Sequence, residues 1–306
     1  MPHHAIAVLT ALAASSCALA QESSPSAAPA DPAVALGRPS ESLRFTFTPN
    51  VWFPRLDGDV SFNGPTLDFG DDYALGSTEA TIDGTIEGRL DIWHVTLSGF
   101  TFSTEGSTNA SAPLAFGGLG VGAGERIRSE FDMSSAALEL GLSLYRPLAD
   151  QVWPWGETRR NESNVAANGG EYGGDYRGDL RIIPFLGARW IGFEHSLVNE
   201  TAGGEASFES DWAAVYAGAR AELAIRFPKE FPLAKRLVVS ASGGAGAVFG
   251  GGSGTVFQGR AGLDLFLLEN VAISGGYQML QIDADEDGYD IDAGVAGMWA
   301  GVTIWF

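Results

Sequence analysis

Met298-Trp-Ala-Gly-Val-Thr-Ile-Trp-Phe306 is the segment of this chain with the clearest structural signal. Counting back from Phe306 by twos gives Ile304, Val302 and Ala300, and all of these positions are apolar. A period of two places such side chains on one face of a β-strand. The segment therefore predicts a strand with one apolar face. That face covers either the core of a soluble β protein or the lipid of a membrane.

The first residues favour export from the cell. Residues 1–20 carry an apolar stretch, Ala5–Ala14, followed by the small-x-small cleavage pattern Ala18–Ala20 of a secretory signal peptide. Cleavage there removes Cys17, the only cysteine of the chain, so we expect no disulfide framework. Residues 21–42 are rich in Ala, Pro and Ser, which predicts a flexible periplasmic leader.

Composition restricts the class of protein further. The formal net charge is -20 and the sequence pI about 4.4, which argues against a nucleic-acid partner because phosphates need basic contacts. No stretch of the mature chain has about 18 uninterrupted apolar residues, so the sequence predicts no transmembrane helix. An exported chain that enters a membrane must then form a closed barrel, which alone satisfies every strand's backbone groups in hydrocarbon.

Alternation of apolar and polar residues recurs over residues 43–306, as is typical of membrane barrels. The polar faces carry mainly Arg with Glu or Asp, and Lys occurs only at 229 and 235. Arginine pairs bidentately with carboxylates in confined spaces. We therefore predict an all-β, transmembrane, antiparallel up-and-down barrel over 43–306, with apolar residues towards lipid. The predicted lumen charge network is Glu87, Arg89, Glu139, Arg189, Arg220, Glu222, Arg226, Arg260 and Asp264.

The segmentation predicts about ten strands, within limits of eight and twelve. An even number places both ends of the barrel domain on the periplasmic side. The segment 147–179 is long and polar and is predicted to be an insertion, whereas Gly58–Phe69 could supply one more hairpin and give twelve strands. Six tryptophans fall near predicted strand ends and are expected either in interfacial belts or in the core: Trp52, Trp93, Trp190, Trp212, Trp299 and Trp305.

Three segments, Thr48–Val60, Leu186–Ile191 and Gly276–Tyr289, resemble a family of proteobacterial outer-membrane β-barrels of unknown function that are porin-like. The chain departs from that pattern in 147–179 and at Arg89–Ile92. The resemblance implies a barrel in the cell outer membrane, with lipid, lipopolysaccharide and the barrel assembly machinery as partners. It implies no catalytic residue. The assembly signal predicted in this terminal strand consists of Val302, Ile304 and Phe306.

Two motifs could carry chemistry. Asp283-Ala-Asp285-Glu-Asp287-Gly288 begins like a calcium loop, but Gly294 occupies the position of the bidentate Glu and no helices flank it. Asp-Gly between alternating strands also indicates a hairpin turn, which we favour over calcium. No other cofactor is predicted. His195, beside Glu194 and near Asp211, could act as a general base, although a loop histidine without a catalytic role is favoured.

The sequence therefore predicts a non-enzymatic outer-membrane barrel, either a narrow porin-like channel or a structural envelope protein. Ten strands leave little room inside, because about eight are filled by side chains and open pores take about sixteen. The alternative is an outer-membrane hydrolase, a protease or lipid-modifying enzyme, with its site at the extracellular rim near His195.

Overall fold

The computed structural model describes residues 43–90, 92–144, 151–154, 175–227, 233–250 and 252–306. The predicted signal peptide and leader, and most of the predicted insertion at 147–179, lie outside the described residues. Within the described ranges, no α-helix has the length and hydropathy needed to cross a membrane.

Fourteen β-strands make up the described fold. In chain order they are β1 (Arg44–Phe62), β2 (Leu67–Asp68), β3 (Thr81–Leu90), β4 (Trp93–Asn109), β5 (Leu114–Phe116), β6 (Leu119–Val121), β7 (Arg126–Leu142), β8 (Gln151–Pro154), β9 (Asp175–Asn199), β10 (Glu205–Arg226), β11 (Arg236–Phe249), β12 (Ser253–Phe266), β13 (Val271–Glu286) and β14 (Tyr289–Trp305).

Ten of these strands close into one antiparallel barrel in the order β1-β3-β4-β7-β9-β10-β11-β12-β13-β14. The ring closes because β14 pairs back onto β1, from Thr46↔Trp305 to Phe62↔Tyr289. The predicted ten-stranded up-and-down barrel is confirmed. The twelve-strand alternative is wrong, since the extra hairpin is only the short β2 paired with the far part of β1. Inside the segment 147–179, β8 pairs with the start of β9 from Gln151↔Gly178 to Pro154↔Asp175.

The two rims of the barrel differ. At one rim β1 begins and β14 ends, and the backbone N–H of Phe306 donates to the carbonyl of Phe45 at 2.9 Å. We call this rim the terminal end and the opposite rim the loop end. The strands extend far towards the loop end, where β9 and β10 pair up to Val198↔Glu205 and β1 and β14 pair up to Phe62↔Tyr289.

The outward face changes from apolar to polar half-way along the barrel. In β1, the outward side chains from the terminal end are Phe45, Phe47, Pro49, Val51 and Phe53, then Arg55, Asp57 and Asp59. In β7 the change falls between Ala136 and Ser134, and in β10 it falls between Ala213 and Asp211. Ala136 and Ala213 both pair with Trp190 of β9, which lies between these two strands. Residues 45–53 and 136–144 match the roughly 9–11 residues that a tilted strand needs to cross a membrane.

The inward face changes in the opposite sense at about the same level. In β1, Thr48 and Asn50 face inward in the terminal half, and Trp52 and Leu56 follow in the loop half. The terminal half is therefore apolar outside and polar inside, like a membrane barrel, whereas the loop half has the apolar core of a water-soluble one. The sequence predicted a charged lumen without this division.

The tryptophans and the last strand show the same division of faces. Trp93 and Trp190 lie outside and are 47% and 41% exposed, as expected of interfacial residues. The other four of the six tryptophans considered above face the interior: Trp52, Trp212, Trp299 and Trp305. In β14 the predicted outward set holds, with Val302 40% and Phe306 74% exposed and Ile304 half-buried on the same face.

Candidate functional site: the barrel interior

A network of charged side chains crosses the terminal half of the barrel. Arg89 Nη2 donates to Glu87 at 2.9 Å and to Glu222 at 2.8 Å, which joins β3 to β10 across the interior. Arg220 donates to Glu87 at 3.3 Å and to Glu139 at 3.1 Å, and lies 3.8 Å from Glu222. Each of these arginines thus faces at least two carboxylates, which offsets the cost of removing the charges from water.

Neutral side chains extend this network towards β9 and β12. Arg189 donates to Ser135 at 2.7 Å and to the Gln258 side-chain oxygen at 2.6 Å, so it meets no carboxylate directly. The Gln258 amide nitrogen donates in turn to Glu139 at 2.9 Å, and Tyr216 donates to the same carboxylate at 3.1 Å. Glu139 therefore joins Arg189 to Arg220 through an amide.

The remaining predicted network residues occupy three different environments. Arg260 donates to Asp83 at 3.2 Å and stacks over Trp299, 4.3 Å from the ring centroid. Asp264 accepts a hydrogen bond from the Thr303 hydroxyl at 3.2 Å and has no ion pair among the described residues. Arg226 is exposed at the terminal end and, within the described part of the chain, has no carboxylate partner.

Sequence reasoning missed two residues of the network. Asp83 precedes Glu87 in β3 and lies on the same inward face of that strand. Its carboxylate accepts hydrogen bonds from Asn50 at 3.1 Å and from Arg260. His94 Nδ1 lies 2.9 Å from Glu87, and His94 is the cross-strand partner of Arg89. The alternation of β3 could have identified Asp83, whereas His94 is recognisable only from the register of β3 and β4.

Above this network, an aromatic plug fills the loop half of the barrel. Its ring-bearing side chains come from strand interiors and from the segments after β1 and β4: Phe62, Phe69, Tyr73, Phe116, Phe131, Phe193, His195, Phe208, Trp212 and Tyr289. Phe208 stacks on Tyr289 with centroids 4.2 Å apart, and Phe193 meets Trp212 edge-on at 4.5 Å. Phe69, Tyr73 and Phe116 are completely buried although they lie outside the barrel strands.

His195 lies in the centre of this plug, not at the rim. Its ring centroid is 4.6 Å from that of Phe116 and 5.1 Å from that of Tyr73, and its Nδ1 lies 3.2 Å from the Tyr289 hydroxyl. Burial lowers the pKa of His195 to about 3, so the ring is neutral at pH 7. Its predicted partners Glu194 and Asp211 point outward, away from it. Among the described residues, His195 contacts aromatic rings and the Tyr289 hydroxyl.

The candidate calcium motif is a strand followed by a hairpin turn. Asp283 and Asp285 lie on the outward face of β13, opposite Asp292 and Asp290 of β14. Asp287 and Gly288 then form a two-residue turn with φ of 49° and 81°, the left-handed values of the favoured Asp-Gly hairpin. Over the described ranges, no three His, Cys, Asp or Glu side chains are grouped to hold a metal ion.

A cavity of about 440 Å³ in the terminal half of the barrel is lined by the residues of the charge network. Its inner wall includes Trp52, Phe100 and Leu280, which belong to the apolar core of the loop half. Its outer wall includes Arg44 and Arg226, both exposed at the terminal end. The cavity is therefore a vestibule that reaches solvent at the terminal end and ends at the core.

No family model and no curated protein matches the chain. Among solved structures, it is similar to the outer membrane protease OmpT from Escherichia coli, at 10% identity and TM-score 0.35, covering 88% of this chain and 98% of that one. It is also similar to Ail of Yersinia pestis, at 13% identity, TM-score 0.28 and coverages of 85% and 99%. The Pseudomonas putida toluene transporter TodX follows at 9% identity, TM-score 0.25 and coverages of 87% and 90%.

The closed ring and its outward apolar band decide the class of protein. The chain folds as a closed β-barrel of the outer-membrane type. Closed barrels with such a band satisfy their backbone internally and present hydrocarbon to lipid, which is the architecture of bacterial outer-membrane proteins.

Proposed function

We propose that the protein is a non-enzymatic, non-conducting barrel that serves as a structural component of the outer membrane. The observation that carries this proposal is the aromatic plug. Phe69, Tyr73, Phe116 and His195 are completely buried where an open pore would need water, and Tyr289 closes the same layer. An interior without water at this level gives a solute no path from one rim to the other.

The charge network supports the same reading one layer below. Arg89 and Arg220 bridge carboxylates from β3, β7 and β10, so the network ties opposite walls together. Open aqueous pores are found in barrels of about sixteen strands, whereas a ten-stranded barrel has an interior only a little wider than side chains can fill. A channel is the second candidate, and it would require the plug to move.

The outward face supports a fixed position in the membrane. We propose that the loop end faces outside the cell and the terminal end faces the periplasm, with the apolar band in contact with lipid and lipopolysaccharide. The barrel assembly machinery would then recognise the outward set Val302, Ile304 and Phe306 during insertion.

Conductance of the purified protein in planar lipid bilayers tests the proposal. The wild-type barrel should show no stable stepwise conductance, whereas Phe69→Ala with Phe116→Ala should raise conductance by opening the plug. Phe53→Ala, on the outward face, is the matched control and should show no conductance, as expected for the wild type. Stable open-channel steps from the wild-type protein would refute the non-conducting proposal.

The enzymatic alternative has its own test. Wild-type protein in lipid should hydrolyse neither a peptide library nor phospholipid, and His195→Ala should be indistinguishable from it. Hydrolysis by the wild type that His195→Ala abolishes would refute the non-enzymatic proposal.

A further inference from the structure

The vestibule carries an excess of positive charge in a chain that is strongly acidic overall. Its charged lining consists of Arg44, Arg89, Arg181, Arg189, Arg220, Arg226, Arg236 and Arg260 with Asp83, Glu87, Glu139, Asp179, Glu222 and Asp264. Arginines thus outnumber carboxylates eight to six, against a net charge of -20 for the whole chain. A cationic cavity in an anionic protein favours an anionic ligand.

The excess lies at the outer part of the vestibule. There Arg181 pairs with Asp179 at 2.8 Å, whereas Arg44, Arg226 and Arg236 have no ion pair within the described residues. Arg226 and Arg236 are direct cross-strand partners in β10 and β11. Like charges placed directly opposite each other destabilise a sheet, and Glu269 is a nearby carboxylate that offsets part of this repulsion at Arg236. An anion between the two arginines would offset the rest.

Arg236 is held in position by aromatic side chains. Its guanidinium carbon lies 3.5 Å from the ring centroid of Trp305 and 3.9 Å from that of Phe266, which fixes the plane of the group. Its Nε and Nη2 atoms are buried without an acceptor among the described residues, so an anion in the cavity would meet this guanidinium as a fixed positive charge.

We propose that the vestibule is a binding site for a small oxyanion that carries phosphate or carboxylate groups and enters from the terminal end. The volume of about 440 Å³ lies within the roughly 300–1,000 Å³ of small-molecule sites. Arg44, Arg226 and Arg236 bind the anionic group at the outer part of the vestibule. The site does not depend on whether the plug conducts, because the ligand enters and leaves at one end.

Titration calorimetry on the folded full-length barrel tests this site, with inorganic pyrophosphate and citrate as probes at constant ionic strength. The wild type should bind at least one probe saturably. Arg226→Gln with Arg236→Gln should weaken binding by about tenfold or more, because charge-assisted hydrogen bonds contribute roughly 1.5–3 kcal/mol each. Arg128→Gln, exposed on the outward face at the loop end, is the matched control and should bind as the wild type does. Retained heat-modifiability on gels verifies that each variant is folded.

Two lipid conditions identify the source of the oxyanion. In vesicles of phosphatidylcholine alone, the affinity for pyrophosphate should equal the affinity in detergent. If the ligand is a soluble anion, adding phosphatidylglycerol to the vesicles should not change this affinity. Competition by phosphatidylglycerol that the double variant abolishes would assign the same site to a lipid headgroup. Absence of saturable binding of both probes to the wild type, or equal affinity of wild type and double variant, would overturn the proposal.

Discussion

At the scale of single residues, Arg220 holds the interior together. It reaches Glu87 and Glu139 and lies near Glu222. Its loss would leave Glu87 and Glu222 paired with Arg89 and would leave Glu139 without an ion pair among the described residues. Removing one partner of a buried ion pair costs roughly 3–5 kcal/mol, and less where cavity water reaches the remaining charge. We predict that Arg220→Ala lowers the free energy of unfolding by about this amount in urea titrations of the detergent-folded barrel.

Arg128→Ala is the matched control for this prediction. Arg128 lies on the outward face of β7 at the loop end, where water screens its charge. Its loss should change the unfolding midpoint little. Equal midpoints for the two variants would mean that the interior is wet and wide, and would favour the open channel over the closed barrel.

His195 predicts a pH dependence that belongs to the plug. Its pKa is lowered from 6.5 to about 3 by burial, so the unfolded chain takes up a proton below pH 6.5 that the folded chain does not. Stability should therefore fall as pH decreases from 6.5 towards 3, by up to about 1.4 kcal/mol per pH unit from this residue.

His195→Gln removes this titrating group and should flatten the dependence of the free energy of unfolding on pH between pH 6.5 and 5. Most carboxylates titrate below this interval. The groups around it, Tyr73 and Tyr289, have pKa values raised by burial and stay neutral over this interval. Parallel pH profiles for wild type and His195→Gln would show that the ring is solvated.

At the scale of strands, β14 shows how much the sequence could predict. Its period-two pattern correctly gave the strand and its outward face from Met298 to Ile304. The same pattern in β1 could not show that Asp57 and Asp59 continue the strand, because charged outward residues in an apolar series read as the start of a loop. Alternation shows which residues share a face of a strand. At the membrane boundary, however, the outward face changes from apolar to polar and the inward face from polar to apolar, and the alternation in a single sequence does not show where that boundary lies.

The prediction on assembly concerns the end of β14. Phe306→Asp places a charge on the outward face beside Phe45, whose carbonyl accepts the Phe306 backbone N–H. We expect export to continue and insertion to fail, measured as the heat-modifiable fraction in outer membranes. Thr303→Asp, on the inward face of the same strand, tests whether any charge in β14 has this effect. A normal yield of folded Phe306→Asp barrel would contradict the predicted assembly signal.

At the scale of the whole molecule, the plug is the feature that sequence patterns could not reveal. Phe69, Tyr73 and Phe116 belong to segments without regular alternation, and they become buried only because the long strands of the loop half enclose them. The charge network was easier to anticipate, because Arg89, Arg220 and the carboxylates that they meet alternate with apolar residues. The structure of the loop half therefore depends on long-range packing, whereas the structure of the terminal half could be predicted from local periodicity.

We propose that the barrel crosses the membrane with its terminal half and that its loop half stands in water. Single cysteines along β14, in a cysteine-free background, test it most directly by labelling with a membrane-impermeant maleimide in lipid vesicles. Asp290→Cys and Asp292→Cys should react quickly, Ala300→Cys and Val302→Cys should react only after unfolding, and Ile291→Cys should be protected because it faces the core. Equal labelling of Asp292→Cys and Ala300→Cys in the folded protein would contradict the claim.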